Sequence, residues 1–241
     1  IETINLELIF ADLASLEKRI ERTVKAARGD KKLEPELALQ RRLLEHLQQN
    51  RLASRMEATE DEQKLINSWQ LLTTKPLLFC CNVAENEAGN ADANPYVQKV
   101  REYAARENWE TVTISAKVES EIAVLDKDEK AMFLEELGLA ESGLDRLVHS
   151  AYHLLGLATY LTAGEKEVRA WTFERGWKAP QCAGVIHSDF EKLFIRAEVV
   201  AYKDLEAAGS MTAAKAAGKV RIEGKDYLMQ DGDVCNFRIG G

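Results

Sequence analysis

The sequence has few of the features that mark secreted, metal-binding or membrane-spanning proteins. It contains four cysteines and four histidines in 241 residues, and no two cysteines stand in a C-x-x-C spacing. This scarcity disfavours a disulfide framework and a zinc site and favours a reducing compartment. Since no run of about 18 apolar residues occurs, neither a transmembrane helix nor a signal peptide is expected. We therefore expect a cytoplasmic protein without a membrane partner.

An excess of positive charge is also missing. The formal net charge is -8, with 30% charged and 46% hydrophobic residues. Such a chain has no global field that attracts nucleic acid, so any RNA contact must be local and no DNA partner is expected. The apolar content is sufficient for one large core or two modest ones.

The chain lacks an initiator methionine. It begins at Ile1 and passes directly into a helical pattern. We interpret it as the remainder of a longer protein, whose missing part is expected to hold the chemistry.

The first 70 residues have a helical pattern. A narrow apolar seam recurs every three or four residues at Leu6, Ile9, Leu13, Leu16, Ile20 and Val24. The pattern breaks at Gly29 and resumes from Leu37 to Met56, which predicts two helices in an antiparallel hairpin. Two interpretations are open: a projecting coiled-coil arm over residues 1–70, or an ordinary helical layer on a core.

Residues 71–156 are predicted to form an α/β domain. The apolar run 77–83 is typical of a buried parallel strand, a helix is predicted over 96–107, and residues 111–114 are rich in β-branched side chains. This order implies a βαβ unit, covered by helices at 126–137 and 143–155.

Residues 157–241 are predicted to form a separate small α+β domain. Strands are expected at 168–173 and 196–201, with a helix over 188–195. Two further strands, 226–230 and 234–238, flank an Asp-Gly turn and predict a closing hairpin.

Two short polar motifs follow the two strands of the βαβ unit. Ligands of open α/β sheets bind at the carboxyl ends of the strands, so these motifs are expected to line one pocket. P-loop GTPases carry NKxD and SAK at these places to read the base. The candidate base-binding residues here are Asn82, Val83 and Glu85 of an NxxE motif, with Ser115, Ala116 and Lys117.

The glutamate in the first motif predicts relaxed or adenine-biased selectivity. One extra methylene shifts the carboxylate and weakens its bidentate contact with guanine. Adenine presents an amino donor beside a ring acceptor. Losing the bidentate carboxylate geometry that suits guanine therefore removes a penalty against adenine. A plainer alternative is that Asn82 caps a strand end and Glu85 is a solvated acid.

Longer sequence blocks resemble the YchF family, also called Obg-like ATPases, a branch of the TRAFAC class of P-loop GTPases. The resemblance covers essentially the full chain, and its blocks are the NxxE motif, Thr162–Thr172, Gly184–Lys192, and Glu223–Tyr227 with Asp231–Val234. It implies the C-terminal part of a GTPase-type parallel-sheet domain with an inserted coiled-coil arm and a C-terminal β-grasp (ubiquitin-like) TGS domain.

The resemblance also implies an activity. Family members bind and hydrolyse ATP, often in preference to GTP, with Mg²⁺, and associate with ribosomes. Asn82, Val83 and Glu85 would surround the base, with the Val83 backbone facing an adenine amino group, and Ser115 and Ala116 would close the other side. The phosphate loop, the Mg²⁺ ligands and the switch residues have no counterpart here, since the family places them upstream of Ile1, so no catalytic or metal-binding residue is assigned to this chain.

The remaining candidates are weaker. Histidines 149, 153 and 187 are expected to be structural, because no further ligand or nucleophile stands near them. A local face for ribosomal RNA of the large subunit and a mixed solvated surface are both open for the basic residues Lys192, Arg196, Lys215, Lys219, Arg221 and Lys225. The alternative to an ATPase is a non-catalytic ribosome-binding module built from a coiled coil and a TGS domain.

Overall fold

The computed structural model describes residues 1–164 and 167–240. Glu165 and Lys166, which belong to the 162–172 block, lie outside the described residues, as does Gly241. The chain divides into two compact units, Ile1–Leu77 and Leu78–Gly241. No helix of the described residues is both long and apolar enough to span a membrane.

The first unit is helical, as its seam predicts. Helices α1 (Glu2–Ala27) and α2 (Glu34–Gln48) pack against each other, and α3 (Glu60–Ser68) follows. Ile9, Leu16 and Leu43 are buried in this unit. The prediction that the second helix reaches Met56 was wrong: α2 ends at Gln48, because Asn50 takes a left-handed conformation with φ 58°.

Three polar side chains, those of Asp12, Gln40 and Thr73, are buried in the first unit. The Asp12 carboxylate accepts hydrogen bonds from Leu72 N at 2.7 Å, Thr73 N at 2.8 Å and Thr73 Oγ1 at 2.7 Å. The Gln40 side-chain amide donates to Thr23 Oγ1 at 3.0 Å. Asp12 thereby joins α1 to a segment about 60 residues later in the chain. Hydrogen bonds to a buried carboxylate are strong, because the acceptor is charged and has few other partners.

The second unit begins with the predicted βαβ unit. Strand β1 (Leu78–Asn82) pairs in parallel with β2 (Glu110–Ile114), and α4 (Pro95–Arg106) connects them. Helices α5 (Ala116–Ile122), α6 (Lys127–Glu136) and α7 (Gly143–Leu154) follow. Val118, Ile122 and Leu134 form a small buried cluster between α5 and α6.

A five-stranded mixed sheet forms the rest of this unit. Its strands are β3 (Leu157–Ala163), β4 (Val168–Glu174), β5 (Phe194–Ala201), β6 (Arg221–Glu223) and β7 (Asp233–Ile239), in the order β4-β3-β7-β5-β6. Only the β3–β7 pair among them is parallel within the described residues. Helices α8 (Ala179–Ile186), α9 (Ser188–Lys192), α10 (Tyr202–Ala208) and α11 (Met211–Ala216) complete the unit.

Two predictions in this region were wrong. The helix expected over 188–195 ends at Lys192, and Ile195 lies in β5. The closing hairpin is not formed: residues 226–230 make an isolated bridge from Leu228 to Lys178, and β7 pairs with β3 and β5 instead. Gln230 N donates to Asp233 Oδ2 at 3.0 Å, which closes a tight turn where the hairpin strand was expected to continue.

The core of this sheet is aromatic and sulfur-rich. Tyr160 is fully buried, and its ring centroid lies 5.9 Å from that of Phe173 and 5.6 Å from that of Phe237. Burial raises the pKa of Cys182 to about 12 and raises that of Cys235 as well. Both thiols are therefore protonated packing groups rather than nucleophiles.

Candidate functional site

The two strand-end motifs meet at one edge of the β1–β2 sheet. Asn82 is the register partner of Ile114, and Val83 N donates to Ile114 O at 2.9 Å. Two residues after Ile114, Ala116 N donates to Asn82 Oδ1 at 3.0 Å. The side-chain amide of the first motif thus holds the backbone of the second, at the carboxyl ends of two parallel strands.

An ion pair lies beside this contact. Lys117 Nζ contacts the Glu85 carboxylate and stands 3.7 Å from the Glu121 carboxylate. The hydrogen bond and charge of Glu85, with a smaller contribution from Glu121, raise the pKa of Lys117. The lysine therefore stays charged and holds Glu85 at the solvent-exposed edge of the surface formed by the two motifs, which is called the wall below.

Val83 supports the wall from inside. Its side chain is only 8% exposed and packs in a cluster with Ala91 and Val97. The valine side chain therefore does not lie over a base, as the lysine of an NKxD motif would. Because Val83 N is bonded to Ile114 O, the backbone carbonyl is the group of this residue that remains for a ligand.

Ser115 contributes an unsatisfied hydroxyl. The residue is 3% exposed, and its Oγ has no hydrogen-bond partner among the described residues. Buried hydroxyls are normally paired, so this oxygen is an exception within the fold, and its burial keeps it out of reach of solvent.

One supporting residue was not among those proposed from the sequence. Glu87 accepts hydrogen bonds from Ala84 N at 3.3 Å and from Asn94 Nδ2 at 3.0 Å, and so closes the loop that follows β1. Asn94 in turn caps α4 through Tyr96 N at 2.8 Å. The Asn94-Pro95 dipeptide before the helix is a sequence signal that could have predicted this cap. No sequence signal predicts the contacts that Glu87 makes within the loop.

The six basic candidates do not form a uniform cationic patch. Lys215 pairs with Glu198 at 2.8 Å, and Lys219 pairs with Asp204 at 3.2 Å. Arg221 lies 3.6 Å from Asp233 and donates to Tyr227 Oη. These contacts reduce the local positive field at three of the six positions, and the RNA face at Lys192, Arg196, Lys215, Lys219, Arg221 and Lys225 stays a prediction.

The histidines have structural contacts. His187 Nδ1 accepts from Asp189 N at 3.2 Å and so caps the start of α9, and its ring packs on Phe190. His149 and His153 face different carboxylates, those of Glu141 and Glu110. Within residues 1–164 and 167–240, no group of three or more His, Cys, Asp or Glu side chains could hold a metal ion.

Comparison with known proteins shows which proteins this chain is similar to. Residues 157–240 match the family model YchF-GTPase_C, described as "Protein of unknown function (DUF933)". The chain is 57% identical over 240 residues to the ribosome-binding ATPase YchF of Bacillus subtilis (strain 168), and 48% identical over 240 residues to that of Haemophilus influenzae. These alignments cover 99% of the chain, with 66% of the first relative and 65% of the second.

A solved structure supports the same relationship. The structure of the Schizosaccharomyces pombe YchF GTPase superimposes with a TM-score of 0.84 at 30% identity, covering 98% of this chain and 64% of that one. The chain thus spans slightly less than two thirds of the length of the proteins it matches.

Proposed function

This chain belongs to the YchF family, and from that premise we propose that it supplies the base-recognition wall of a ribosome-associated P-loop triphosphatase that hydrolyses ATP, and GTP less specifically. The observation that carries the proposal is the 3.0 Å hydrogen bond from Ala116 N to Asn82 Oδ1, which joins the NxxE and SAK motifs. In this proposal the purine lies against the two joined motifs at the carboxyl ends of the strands.

The selectivity follows from the groups at the wall. Guanine selection needs a carboxylate held for two adjacent donors, whereas Glu85 is longer than aspartate and is engaged by Lys117. Adenine presents an amino donor, for which the Val83 carbonyl is the available acceptor, and Ser115 and Ala116 would close the other side of the base. ATP is therefore favoured because the GTP-specific contact is weakened.

We expect a shift toward GTP when Glu85 is shortened. In the intact triphosphatase, Glu85→Asp should raise the affinity for GTP relative to ATP by about tenfold, or roughly 1.4 kcal/mol, because the carboxylate regains bidentate reach. Titration with both nucleotides measures the ratio. Glu121→Asp is the matched control, since that carboxylate faces only Lys117 at 3.7 Å. An unchanged ratio in Glu85→Asp would refute this account of base reading.

Phosphoryl transfer is assigned to residues outside this chain. ATP hydrolysis of this type uses Mg²⁺, a phosphate-cradling loop and an oriented water. The sequence has no G-x-x-x-x-G-K-[ST] motif, and the described residues do not fit a metal site. Within the proposal, Mg²⁺ and its ligands therefore belong to the part of the triphosphatase that precedes this segment in the family.

The 241-residue chain alone is expected to show no Mg²⁺-dependent ATP turnover. A base wall orients a purine but supplies neither charge stabilisation at the γ-phosphate nor a nucleophile. A phosphate-release assay on the purified chain, with the intact triphosphatase as positive control, checks this. Turnover above the buffer blank that disappears on chelation of Mg²⁺ would contradict it.

The same proposal assigns three parts: a coiled-coil arm over 1–70, the GTPase-type part over 71–156 and a TGS domain over 157–241. The packed α1–α2 pair supports the first, the parallel β1–β2 pair the second, and the mixed five-stranded sheet with α8 against it the third. Ribosome binding, named for the bacterial relatives, would place the activity in the cytoplasm, with the large subunit and its RNA as the expected partner.

A further inference from the structure

An exposed apolar cleft lies along α6 and Leu125, which precedes it, outside the proposed base wall. Met132 is 71% exposed, although it is a large apolar side chain. Together with Leu125 and Phe133, Met132 lines a cleft of about 610 Å³. Exposed apolar side chains that share one concave surface mark interaction sites more often than scattered ones do.

The rim of this cleft is acidic. Glu129, Glu135 and Glu136 border it. Glu129 accepts a hydrogen bond from Asp126 N, whereas neither Glu135 nor Glu136 has an ion-pair partner among the described residues. Between residues 119 and 141 the sequence has eight Asp or Glu residues and two Lys residues. One of those lysines, Lys130, lies 3.5 Å from Asp145.

We propose that this cleft docks a basic amphipathic helix of a partner protein. Such a helix would place an apolar stripe on Met132 and Phe133 and direct Lys or Arg side chains at Glu135 and Glu136. Methionine suits this role because its flexible thioether adapts to different side chains. A second copy of the chain is disfavoured as occupant, since two acidic rims would repel each other.

The cleft is packed against the loop that carries the NxxE motif. Ala88, from that loop, packs on the cluster that contains Leu134 of α6. A Cβ atom at Gly89 would stand 2.2 Å from the Leu137 carbonyl oxygen, so only glycine fits this approach. Helix α5 itself begins at Ala116, the residue bonded to Asn82. A helix docked on α6 would therefore restrain the 85–93 loop. Any effect of that restraint on nucleotide binding rests on the proposed function.

The docking test uses the full 241-residue chain and a labelled synthetic peptide. The peptide is an amphipathic helix of Leu and Lys with about 14 residues, compared with a peptide of the same composition in non-amphipathic order. In fluorescence anisotropy, the amphipathic peptide should bind about tenfold more tightly than its reordered control. Met132→Asp should weaken it about tenfold, whereas Ile222→Asp, an equally drastic change at a 66% exposed position, should leave it unchanged.

Several outcomes would overturn the proposal. Equal binding of the two peptides would show attraction by charge alone, and unchanged binding in Met132→Asp would place the peptide elsewhere. If circular dichroism shows that Met132→Asp is misfolded, Glu136→Lys on the exposed rim of the cleft replaces it and should weaken the peptide as well. Sedimentation that reveals a dimer abolished by the substitution would assign the cleft to a second copy. Peptide binding that disappears in the intact triphosphatase would assign it to another segment of the same polypeptide.

Coupling to the loop has its own readout. Amide hydrogen exchange of residues 85–93 should slow about threefold when the amphipathic peptide is bound, since opening of the loop would be restrained. Exchange that stays unchanged while the peptide binds would refute the coupling and leave the docking site. None of these measurements involves a nucleotide, so failure here and failure of the Glu85→Asp titration are distinguishable.

Discussion

Replacing Asp12 by alanine is expected to lower the free energy of unfolding of the first unit by about 3 kcal/mol. Asp12 is 2% exposed, and its carboxylate accepts three hydrogen bonds from Leu72 and Thr73. Removing it leaves two backbone N–H groups and a hydroxyl without their acceptor in a site that water barely reaches. It also removes the hydrogen bonds through which the Asp12 side chain joins α1 to the 72–74 turn.

Chemical unfolding followed by far-UV circular dichroism measures this loss. Asp61→Ala is the matched control, because the Asp61 side chain is fully exposed and its change should stay within about 0.5 kcal/mol. Asp12→Asn should lie between wild type and alanine, since the amide keeps one acceptor oxygen. A double variant with Thr73→Val should lose less than the sum of the two single losses. Additive losses would mean that the two side chains act independently, contrary to the observed geometry.

Replacing Tyr160 by alanine is expected to destabilise the second unit by about 4 kcal/mol, whereas Tyr160→Phe should lose about 1 kcal/mol. Alanine removes a fully buried ring that packs on Phe173 and Phe237. Phenylalanine keeps the ring and loses only the hydrogen bond from Tyr160 Oη to Cys182 O at 2.8 Å. Tyr96→Phe, at a 75% exposed position, is the control and should change nothing measurable. Equal losses for both Tyr160 variants would contradict the packing argument.

The same tyrosine gives a pH dependence. Burial raises the pKa of Tyr160, so the folded state keeps this proton at pH values where the unfolded chain, with a pKa near 10, releases it. The unfolded state then binds fewer protons, and stability falls as the pH rises above about 10, by at most roughly 1.4 kcal/mol per pH unit for this group. The buried thiols Cys182 and Cys235 add to the fall from a lower pH. Tyr160→Phe should therefore lose less stability than wild type between about pH 10 and pH 11 when both are unfolded in guanidinium.

The contact between the two strand-end motifs was predictable because its signals are local. An apolar run with a polar motif at its end predicts a buried strand and a strand-end loop, and the β-branched residues at 111–114 predict the second strand. A connection the length of α4 makes the pair parallel, so Asn82 and Ala116 were expected at one edge. The ion pair between Glu85 and Lys117 was not foreseen, because side-chain pairing across strand ends depends on the register and not on the motif itself.

The failures have a common cause, which is that distant partners override local patterns. Residues 226–238 have the alternation and the Asp-Gly turn of a hairpin, yet β7 is inserted between β3 and β5, whose register partners for Val234 are Leu161 and Val200. No local pattern identifies such partners. The bonds of Asp12 to Thr73 and the contact of Gly89 with Leu137 likewise join residues far apart in sequence, so neither was visible before the fold was known.

The pairing of Asn82 with Ile114 makes the contact between the two strand-end motifs sensitive to length changes in the strands but not in the connections. A residue inserted into the loop at 107–109 leaves the β1–β2 register intact, because loops absorb such changes readily. A residue deleted within β1 moves every later side chain to the opposite face of the strand, which turns the Asn82 amide away from Ala116 N. Among proteins that share this contact, differences in length are therefore expected in the connections, whereas the strands keep a constant length. The length of the two strands sets the distance between the NxxE and SAK motifs.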